Sequence, residues 1–379
     1  MEQALAGIFH GLGWLLLALA ALGSLYTLVS ALVLHRFFAG SAPPGRHDVP
    51  VTILKPLHGA EARLEDNLTT FLAQDYAGPV EMVCGVGDRE DSAVAIVDRL
   101  GAPVRLIVDP ARHGANAKVS NLINIARNAT LAPVVVISDS DIAVAPDYLA
   151  HIVDALETPG VGAVSCLYRG RGDAGFWSQL AAGWPSYQFL PGAVFALATG
   201  IATPSMGSTI ALRRETLERI GGFERFADIL ADDDAIGRAV EALGLRIAVP
   251  PMLVVHASDE RSFGAVWRHE LRWAVTVRDI TPAGYAGSVI GLPFPGALLG
   301  AALTGAGVPA LLVIATALAS RLILARAVDR ASGERAMPLW LLPLRDLLSY
   351  VVFFASFFVR SVDWRGSRLT MQKHGRIAA

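Results

Sequence analysis

The chain has 379 residues, enough for one or two domains with a sizeable core. Hydrophobic residues make up 53% of it and charged residues only 17%, which argues against a wholly water-soluble protein. The formal net charge of −2 offers no basic surface, so we expect no nucleic-acid partner. Cys84 and Cys166 lie in apolar runs without metal-binding spacing, and we expect buried free thiols.

The first predicted element is a membrane helix. Residues 11–34 contain no charge and exceed the length of about 20 residues that crosses a bilayer. A cleaved signal peptide fits poorly, because Glu2 replaces its basic start and the apolar run is too long. We predict an uncleaved anchor over residues 1–36. Arg36 and Arg46 then place the following segment in the cytoplasm by the positive-inside rule.

Residues 47–260 alternate between short β-branched runs and helical stretches. The predicted strands are 51–54, 80–86, 104–108 and 134–138, and the helices between them are 65–73, 92–100 and 118–127. This alternation predicts an α/β fold with βαβ units and a mostly parallel sheet. Ligands of such sheets lie beyond the carboxyl ends of the strands.

Acidic residues follow the second predicted strand. A carboxylate of Asp88 or Asp91 there could hydrogen-bond a nucleotide base or ribose, as acids after early strands do in other nucleotide folds. A solvated turn that caps the next helix is an equally good interpretation.

Lys118, after a later loop, could meet a phosphate as a point charge. A surface lysine is commoner, but the chain has only three lysines.

Asp139 and Asp141 stand at the exit of the fourth predicted strand. Such carboxylates can share a hard cation, since Mg²⁺ is usually held by one or two carboxylates plus substrate phosphates. The cation would offset the charge of a leaving diphosphate. The Asp-x-Asp pattern alone is weak, because many such pairs merely cap a helix. Its place after an apolar strand strengthens it.

Residues 174–212 carry no charge and could be mistaken for a membrane span. One crossing there would put the acidic clusters before and after it on opposite sides of the membrane. Glycines and prolines also interrupt the stretch. We predict instead an apolar surface that rests on the bilayer, where a lipid acceptor could enter.

Asp232, Asp233 and Asp234 begin a predicted amphipathic helix. Capping and the helix dipole explain acids at this position in part. The sharper alternative is a catalytic carboxylate, because sugar transfer to a hydroxyl needs a base to take its proton.

A helix capped by Ser262 is predicted within residues 261–284. His269, Arg272 and Trp273 share one face of it, at helical spacing. The opposite face is apolar and consists of Phe263, Trp267, Leu271 and Val275. A cation beside an indole suits a diphosphate and an acceptor pocket. An interfacial helix with Arg and Trp at the headgroups is the alternative, and both can hold together. A role for His269 as a lone catalytic base is weaker than either.

Residues 285–379 are predicted to form a membrane region with a basic tail. The charge-free run 280–320 is long enough for two passes. In 337–359, Arg345 stands next to Asp346, which is costly at bilayer depth unless the two charges satisfy each other. That segment is therefore either a further span or an interfacial helix. The basic tail favours a cytoplasmic C-terminus, whereas four spans would place it outside.

Together these motifs resemble the inverting glycosyltransferases of families 2 and 21, above all ceramide glucosyltransferases and the related bacterial hopanoid-associated glycosyltransferases. The resemblance spans nearly the whole chain. Beside the anchor and the acidic clusters, it rests on residues 51–59, 116–121, 272–273, 342–350 and 363–366. It implies a GT-A (Rossmann-like) catalytic domain in a multi-pass protein of the inner membrane, with that domain facing the cytoplasm.

The resemblance also implies which residues bind the donor. Asp88 or Asp91 would contact the nucleotide, and Lys118 belongs to the matching segment. Asp139, with Asp141 nearby, would hold Mg²⁺ or Mn²⁺ at the diphosphate.

The remaining matches imply the catalytic residues. Asp233 would be the base, and Arg272 with Trp273 would close a QxxRW-like motif. The chain departs from the family at His269, where Gln or Arg is usual, and at Asp232, where Glu often precedes the base.

The implied reaction is inverting, metal-dependent transfer of glucose or N-acetylglucosamine from a UDP-sugar to a hydroxyl of a membrane lipid, a hopanoid or ceramide. The lysine-poor composition tilts the acceptor towards a hopanoid. A processive polysaccharide synthase shares the motifs but needs a translocation channel, for which three or four helices are few. A polyprenyl-phosphate glycosyltransferase is a further enzymatic alternative. A nucleotide-binding membrane sensor or scaffold would bind UDP without turnover.

Overall fold

The computed structural model of the protein describes residues 2–40, 43–359, 361–364, 367–371 and 377–378. The α-helices are α1 (Glu2–Ala39), α2 (Leu64–Leu72), α3 (Ala93–Leu100), α4 (Ala117–Asn128), α5 (Tyr148–Glu157), α6 (Phe176–Trp184), α7 (Leu190–Ala198), α8 (Arg214–Arg219), α9 (Asp232–Glu241), α10 (Phe263–Ile280), α11 (Pro282–Ser288), α12 (Pro293–Thr304), α13 (Val308–Ser332) and α14 (Leu342–Ser356). A π-helix, Pro185–Phe189, joins α6 to α7.

The strands are β1 (Val51–Pro56), β2 (Val80–Val86), β3 (Val104–Val108), β4 (Val134–Ile137), β5 (Ile142–Ala143), β6 (Val161–Ser165), β7 (Leu167–Gly172), β8 (Ile210–Arg213), β9 (Arg246–Ala248), β10 (Leu253–Ser258), β11 (Ser361–Trp364), β12 (Ser367–Met371) and β13 (Ile377–Ala378). The last three form a small antiparallel sheet of their own.

A seven-stranded sheet in the order β3-β2-β1-β4-β8-β6-β9 forms the centre of the domain. Strands β1 to β4 run parallel, as the alternation of β-branched and helical segments predicts, and α2, α3 and α4 lie in the connections between them. Strand β8 is antiparallel to both of its neighbours. The carboxyl ends of the parallel strands therefore meet at one edge of the sheet, where ligands of α/β folds lie. The predicted α/β fold is confirmed.

A second, three-stranded sheet in the order β5-β10-β7 lies beside this edge. Strand β5 follows Asp139 and Asp141 directly and pairs antiparallel with β10, where His256 lies opposite Ile142. The pairing brings β10 next to the exit from β4. Cys84 and Cys166 are buried free thiols, as predicted.

Within the described residues, helices Gln3–Ala39, Val308–Ser332 and Leu339–Ser356 are long and apolar enough to cross a membrane. A bent pair, Pro282–Gly291 and Pro293–Thr304, meets at 69° and adds a fourth span if it is counted as one. One N-terminal and two to three C-terminal membrane helices were predicted, and the structure confirms them. The bend falls at Pro293, which has no N–H group to continue the preceding helix.

Close packing joins the membrane helices. A Cβ atom on Gly300 of α12 would lie 2.9 Å from the carbonyl oxygen of Gly13 on α1, and one on Gly23 would lie 2.4 Å from the carbonyl oxygen of Ile290. Glycine at these positions lets the backbones approach, as small residues do between membrane helices. The structure is that of a membrane protein.

Arg345 and Asp346 of α14 do not satisfy each other, contrary to the pairing considered from the sequence. Arg345 pairs with Glu270 of α10, and Asp346 pairs with Arg321 of α13. Consecutive helical side chains point about 100° apart, so neighbouring charges on one helix face different partners. Each charge is nevertheless paired and buried, which makes the segment compatible with a span.

The uncharged segment 174–212 folds as α6, the π-helix, α7 and the start of β8, and none of these is long enough to be a candidate span. Helix α7 packs against α1. Of the basic tail, Arg360, Arg365, Lys373 and Arg376 lie outside the described residues.

Candidate active site

A large open cavity of about 1460 Å³ lies at the carboxyl edge of the parallel strands. All the predicted site residues line it: Asp88, Asp91, Lys118, Asp139, Asp141, Asp233, His269, Arg272 and Trp273. They come from the loops after β2 and β4 and from α4, α9 and α10, so the fold brings together residues that are far apart in the sequence.

Lys118 connects two of the acids in this cavity. It lies in the first turn of α4, which begins where the Asn116 side chain accepts a hydrogen bond from the Val119 N–H. Its Nζ lies 2.8 Å from Asp139 Oδ1 and 3.2 Å from Asp232 Oδ2. Burial lowers the pKa of Lys118, but these two carboxylates raise it well above its ordinary value. Lys118 is therefore a fixed positive charge.

Asp233 lies at the start of α9, close to the same cluster. Its Oδ2 accepts a hydrogen bond from the Gly207 N–H at 2.9 Å, and its Oδ1 accepts one from the Asp234 N–H. A Cβ atom on Gly207 would lie 3.1 Å from Asp139 Oδ2 and 3.5 Å from Asp233 Oδ2, so the loop backbone runs beside both acids. Burial and the neighbouring Asp232 raise the pKa of Asp233 to about 7. A carboxyl with such a pKa suits a general base.

Asp141 pairs with His256, whose Nε2 lies 3.2 Å from Asp141 Oδ2. Burial raises the pKa of Asp141, but His256 more than offsets this effect and the pKa falls to about 2. The other oxygen, Oδ1, is buried without a hydrogen-bond partner. Asp141 is thus an ionised carboxylate with one oxygen that still lacks a donor or a cation.

The carboxylates of Asp139 and Asp141 fit a divalent cation that also uses donor phosphates. The described residues contain no group of three or more His, Cys, Asp or Glu that could hold a metal by itself. Mg²⁺ commonly relies on one or two carboxylates plus substrate oxygens, and the unpartnered Oδ1 of Asp141 matches that need.

The two acids after β2 have different surroundings. The Asp91 carboxylate accepts hydrogen bonds from the N–H groups of Gly59 (2.9 and 3.1 Å) and Ala93 (2.8 Å), so it holds the start of α3 and the loop after β1. Asp88 is exposed and accepts a hydrogen bond from the Glu90 N–H. The capping interpretation therefore describes Asp91, while Asp88 faces the open cavity.

Helix α10 begins as predicted, because the Ser262 side chain accepts a hydrogen bond from the Ala265 N–H. Its buried face differs from the predicted apolar face. Phe263 is 49% exposed, and the buried residues of the helix are Val266, Glu270, Ala274 and Val275. An acid occupies the middle of the buried face because it has a cationic partner on α14.

Aromatic rings and histidines form one wall of the cavity. The ring centroids of His269 and Trp273 lie 4.4 Å apart, and Trp273 also contacts Trp184 (4.9 Å) and His256 (5.4 Å). His269 Nδ1 contacts the Glu260 carboxylate, which fixes the orientation of the imidazole. The contacts with Glu260 and Trp273 therefore hold the His269 side chain in place in the cavity wall.

Several residues of the site were not singled out from the sequence. Lys55 is fully buried, and its Nζ donates to Ser138 Oγ (3.0 Å) and to the Asp139 carbonyl oxygen (2.9 Å). A rare lysine inside an apolar strand was a usable signal. His256 lies within a mostly apolar strand and gave little signal. Gly207 gave none, because its contribution is a backbone N–H group.

The solved mannosyltransferase PcManGT from Pyrobaculum calidifontis, in complex with GDP-Man and Mn²⁺, resembles most of this chain. The TM-score is 0.55 at 24% sequence identity, covering 90% of this chain and 99% of that chain. This likeness shows a fold of the GT-A type, here joined to membrane helices.

The family model of glycosyl transferase family 21 matches residues 15–377, and the chain belongs to that family. It is 25% identical over 209 residues to ceramide glucosyltransferase 1 of Caenorhabditis elegans, covering 52% of this chain and 43% of that protein. It is 22% identical over 363 residues to ceramide glucosyltransferase 3 of the same organism, covering 90% and 76%.

Proposed function

We propose that this protein transfers a hexose from a UDP-sugar to a hydroxyl of a membrane lipid, with inversion at the anomeric carbon. The observation that carries the proposal is the convergence of Lys118, Asp139, Asp233 and Arg272 on one cavity. The two ceramide glucosyltransferases among the relatives favour glucose as the sugar and ceramide as the acceptor. The lysine-poor composition is the argument for a hopanoid acceptor.

The donor would bind along the edge formed by β1, β2 and β4. Asp88 would contact the nucleoside, and Lys118, whose Nζ lies 2.8 Å from Asp139 Oδ1, would face the diphosphate. Asp139 and Asp141 would hold Mg²⁺ or Mn²⁺, and PcManGT was solved with Mn²⁺ and a nucleotide sugar. When bound, such a cation offsets the negative charge that develops on the leaving diphosphate.

The transfer itself would be a single displacement. Asp233 takes the proton of the acceptor hydroxyl while that oxygen forms a bond to the anomeric carbon. The bond from this carbon to the diphosphate oxygen breaks, its electron pair leaves with UDP, and Arg272 stabilises the departing charge. Because the attack and the departure occur on opposite faces, the configuration inverts and no sugar–enzyme bond forms.

The acceptor would enter from the membrane side. Val277, Ile280 and Thr281 line the cavity where α10 gives way to the helices of the membrane region, and residues 202–206 line it from the end of α7. The cavity thus reaches from the acids towards apolar segments. Arg36 in the last turn of α1 and Arg46 after it favour a catalytic domain that faces the cytoplasm, as expected for a protein of the inner membrane.

Incubation of the purified full-length protein with radiolabelled UDP-glucose or UDP-N-acetylglucosamine and a total lipid extract tests this function. We expect a labelled lipid carrying one sugar, formed with added Mn²⁺ or Mg²⁺ and lost with chelator. Products of graded length would indicate a polysaccharide synthase, and a labelled lipid phosphate would indicate a polyprenyl acceptor. UDP binding without turnover of either donor would indicate a sensor and overturn the proposal.

A further inference from the structure

Glu270 is a buried acid on the helix that carries the RW motif, but it does not line the large cavity. Its two carboxylate oxygens accept hydrogen bonds at 2.5 Å from the two terminal nitrogens of Arg345 on α14. The residues are 5% and 1% exposed. The same guanidinium also donates to Ser349 Oγ and to the Leu180 carbonyl oxygen. The contact is a buried, bidentate salt bridge between α10 and α14.

A second ion pair on α14 provides a natural comparison. Asp346 accepts hydrogen bonds from Arg321 of α13 at 2.7 and 2.8 Å, and Arg321 also donates to the Tyr187 carbonyl oxygen. Both side chains are 1–2% exposed. This pair is as buried and as well bonded as the first, but its partners lie on α13 and the π-helix.

Stability alone does not explain a buried pair between α10 and α14. Replacing such a pair with apolar residues is often neutral or stabilising, because the charges lose their hydration. Removing one partner is costly, because the other charge is left buried. A bidentate Arg–carboxylate salt bridge does, however, fix the geometry of the groups that it joins.

The geometry of α10 relates this contact to the site. Glu270 and Arg272 are two positions apart, so their side chains point about 200° apart around the helix axis. Any rotation of α10 that releases Glu270 from α14 therefore turns Arg272 and Trp273 away from their present direction. Trp273 lies close to His256, the partner of Asp141, so a small rotation would disturb several contacts.

We propose that the Glu270–Arg345 ion pair is a positioning device that sets the rotation of α10 and so aims Arg272 and Trp273 at the reacting groups. The proposal rests on the transfer reaction proposed above for this site. It makes a membrane helix, α14, part of the scaffold of the catalytic machinery.

Single variants of the full-length enzyme in proteoliposomes provide the first test. We expect Glu270→Gln to lower kcat by about 10²-fold, the order of loss that a displacement of about 1 Å produces, with a smaller change in donor KM. Arg345→Lys keeps the positive charge but loses the bidentate contact with the carboxylate, and it should retain part of kcat. Asp346→Asn is the matched control. It should lower Tm as much as Glu270→Gln does while keeping most of kcat. An equal loss of kcat in Glu270→Gln and Asp346→Asn would overturn the proposal.

A double variant separates positioning from stability. In Glu270→Leu with Arg345→Met, apolar packing replaces the pair, so we expect Tm to recover towards the wild-type value while kcat stays low. Wild-type kcat in this double variant would show that the pair is only a structural contact.

A measurement that needs no sugar transfer distinguishes this proposal from the proposed reaction. Acrylamide quenching attributable to Trp273, obtained by comparison with a Trp273→Phe background, should rise in Glu270→Gln and stay unchanged in Asp346→Asn. If the wild type transfers no sugar, the reaction is wrong, but the quenching still decides whether the pair orients α10. Unchanged quenching in Glu270→Gln would contradict the proposal that the ion pair sets the rotation of α10.

Discussion

Lys118 Nζ lies 2.8 Å from Asp139 Oδ1, so the carboxylate at the exit of β4 has a protein cation as its partner. The same ammonium group lies 3.2 Å from Asp232. Lys118 thus balances part of the negative charge that the three adjacent acids of α9 and the Asp-x-Asp pair concentrate in one cavity. The site is an ordered network of charges, in which Lys118 lowers the pKa values of Asp139 and Asp233 while these acids raise that of Lys118.

Replacing Lys118 with methionine should lower transfer by about 10²-fold, the usual effect of removing one electrostatic contact to a developing charge. Lys118 lowers the pKa values of Asp139 and Asp233, so both should rise when its charge is removed. Steady-state kinetics over a range of pH measures both effects, and calorimetry shows whether UDP still binds. Lys118→Arg, which keeps the charge, is the control, and equal activity of the two variants would show that the charge of Lys118 is not used.

The activity should depend on pH through Asp233. Its pKa is raised to about 7 by burial and by Asp232, and a base acts in its deprotonated form. We therefore expect kcat to rise with pH through about 7 and to level off above it. Asp233→Asn should abolish transfer and leave UDP binding largely intact. Substantial residual turnover would contradict the assignment.

The same shift predicts a stability effect of known sign. The folded pKa of Asp233 lies above its ordinary value of 3.8, so the folded state favours the neutral acid. The cost of ionising Asp233 is absent below that value and grows until the pH passes about 7. Asp233→Asn should accordingly raise Tm relative to the wild type at pH 8 and not at pH 4. A rise in Tm of equal size at both pH values would show that the ionisation of Asp233 is not the cause.

Asp88 and Asp91 should respond differently to alanine substitution. Asp91 satisfies backbone N–H groups at Gly59 and Ala93, and removing such a cap costs about 1–2 kcal/mol of stability. Asp91→Ala should therefore lower Tm. Asp88→Ala should keep Tm and weaken UDP binding, because its side chain is exposed in the cavity. Thermal unfolding and calorimetry on the two variants test this, and the reverse pattern would exchange the two roles.

Periodicity and strand order explain why much of this site could be predicted. The runs of β-branched residues gave β1 to β4, and acids directly after them had to meet at the carboxyl edge of a parallel sheet. The helical spacing of His269, Arg272 and Trp273 likewise put these side chains on one face.

Contacts between distant segments could not be predicted in this way. Glu270 and Arg345 are 75 positions apart, and the adjacent Arg345 and Asp346 suggested a local pair that helix geometry does not favour. The loop that carries Gly207 lies in an uncharged stretch, and its contribution comes from the backbone. Tertiary packing, which no local pattern records, decides both features.

His269 stands where the resemblance implies Gln or Arg, and its contacts indicate what the position requires. Its Nδ1 contacts the buried carboxylate of Glu260, while its ring packs against Trp273. A glutamine side chain carries an N–H donor that can take over the contact with Glu260. His269→Gln should consequently keep most of kcat, whereas His269→Ala should lose stability by about 1–3 kcal/mol, because Glu260 is left buried without its partner.

The two His269 variants also discriminate between an orienting role and a catalytic one. If His269 were the general base, glutamine could not accept the proton and kcat would fall by about 10²–10⁴-fold. If it only orients the wall, His269→Gln keeps both kcat and the rise of activity with pH that we assign to Asp233. Measuring kcat against pH for the wild type and for both variants therefore decides which of these two residues takes the acceptor proton.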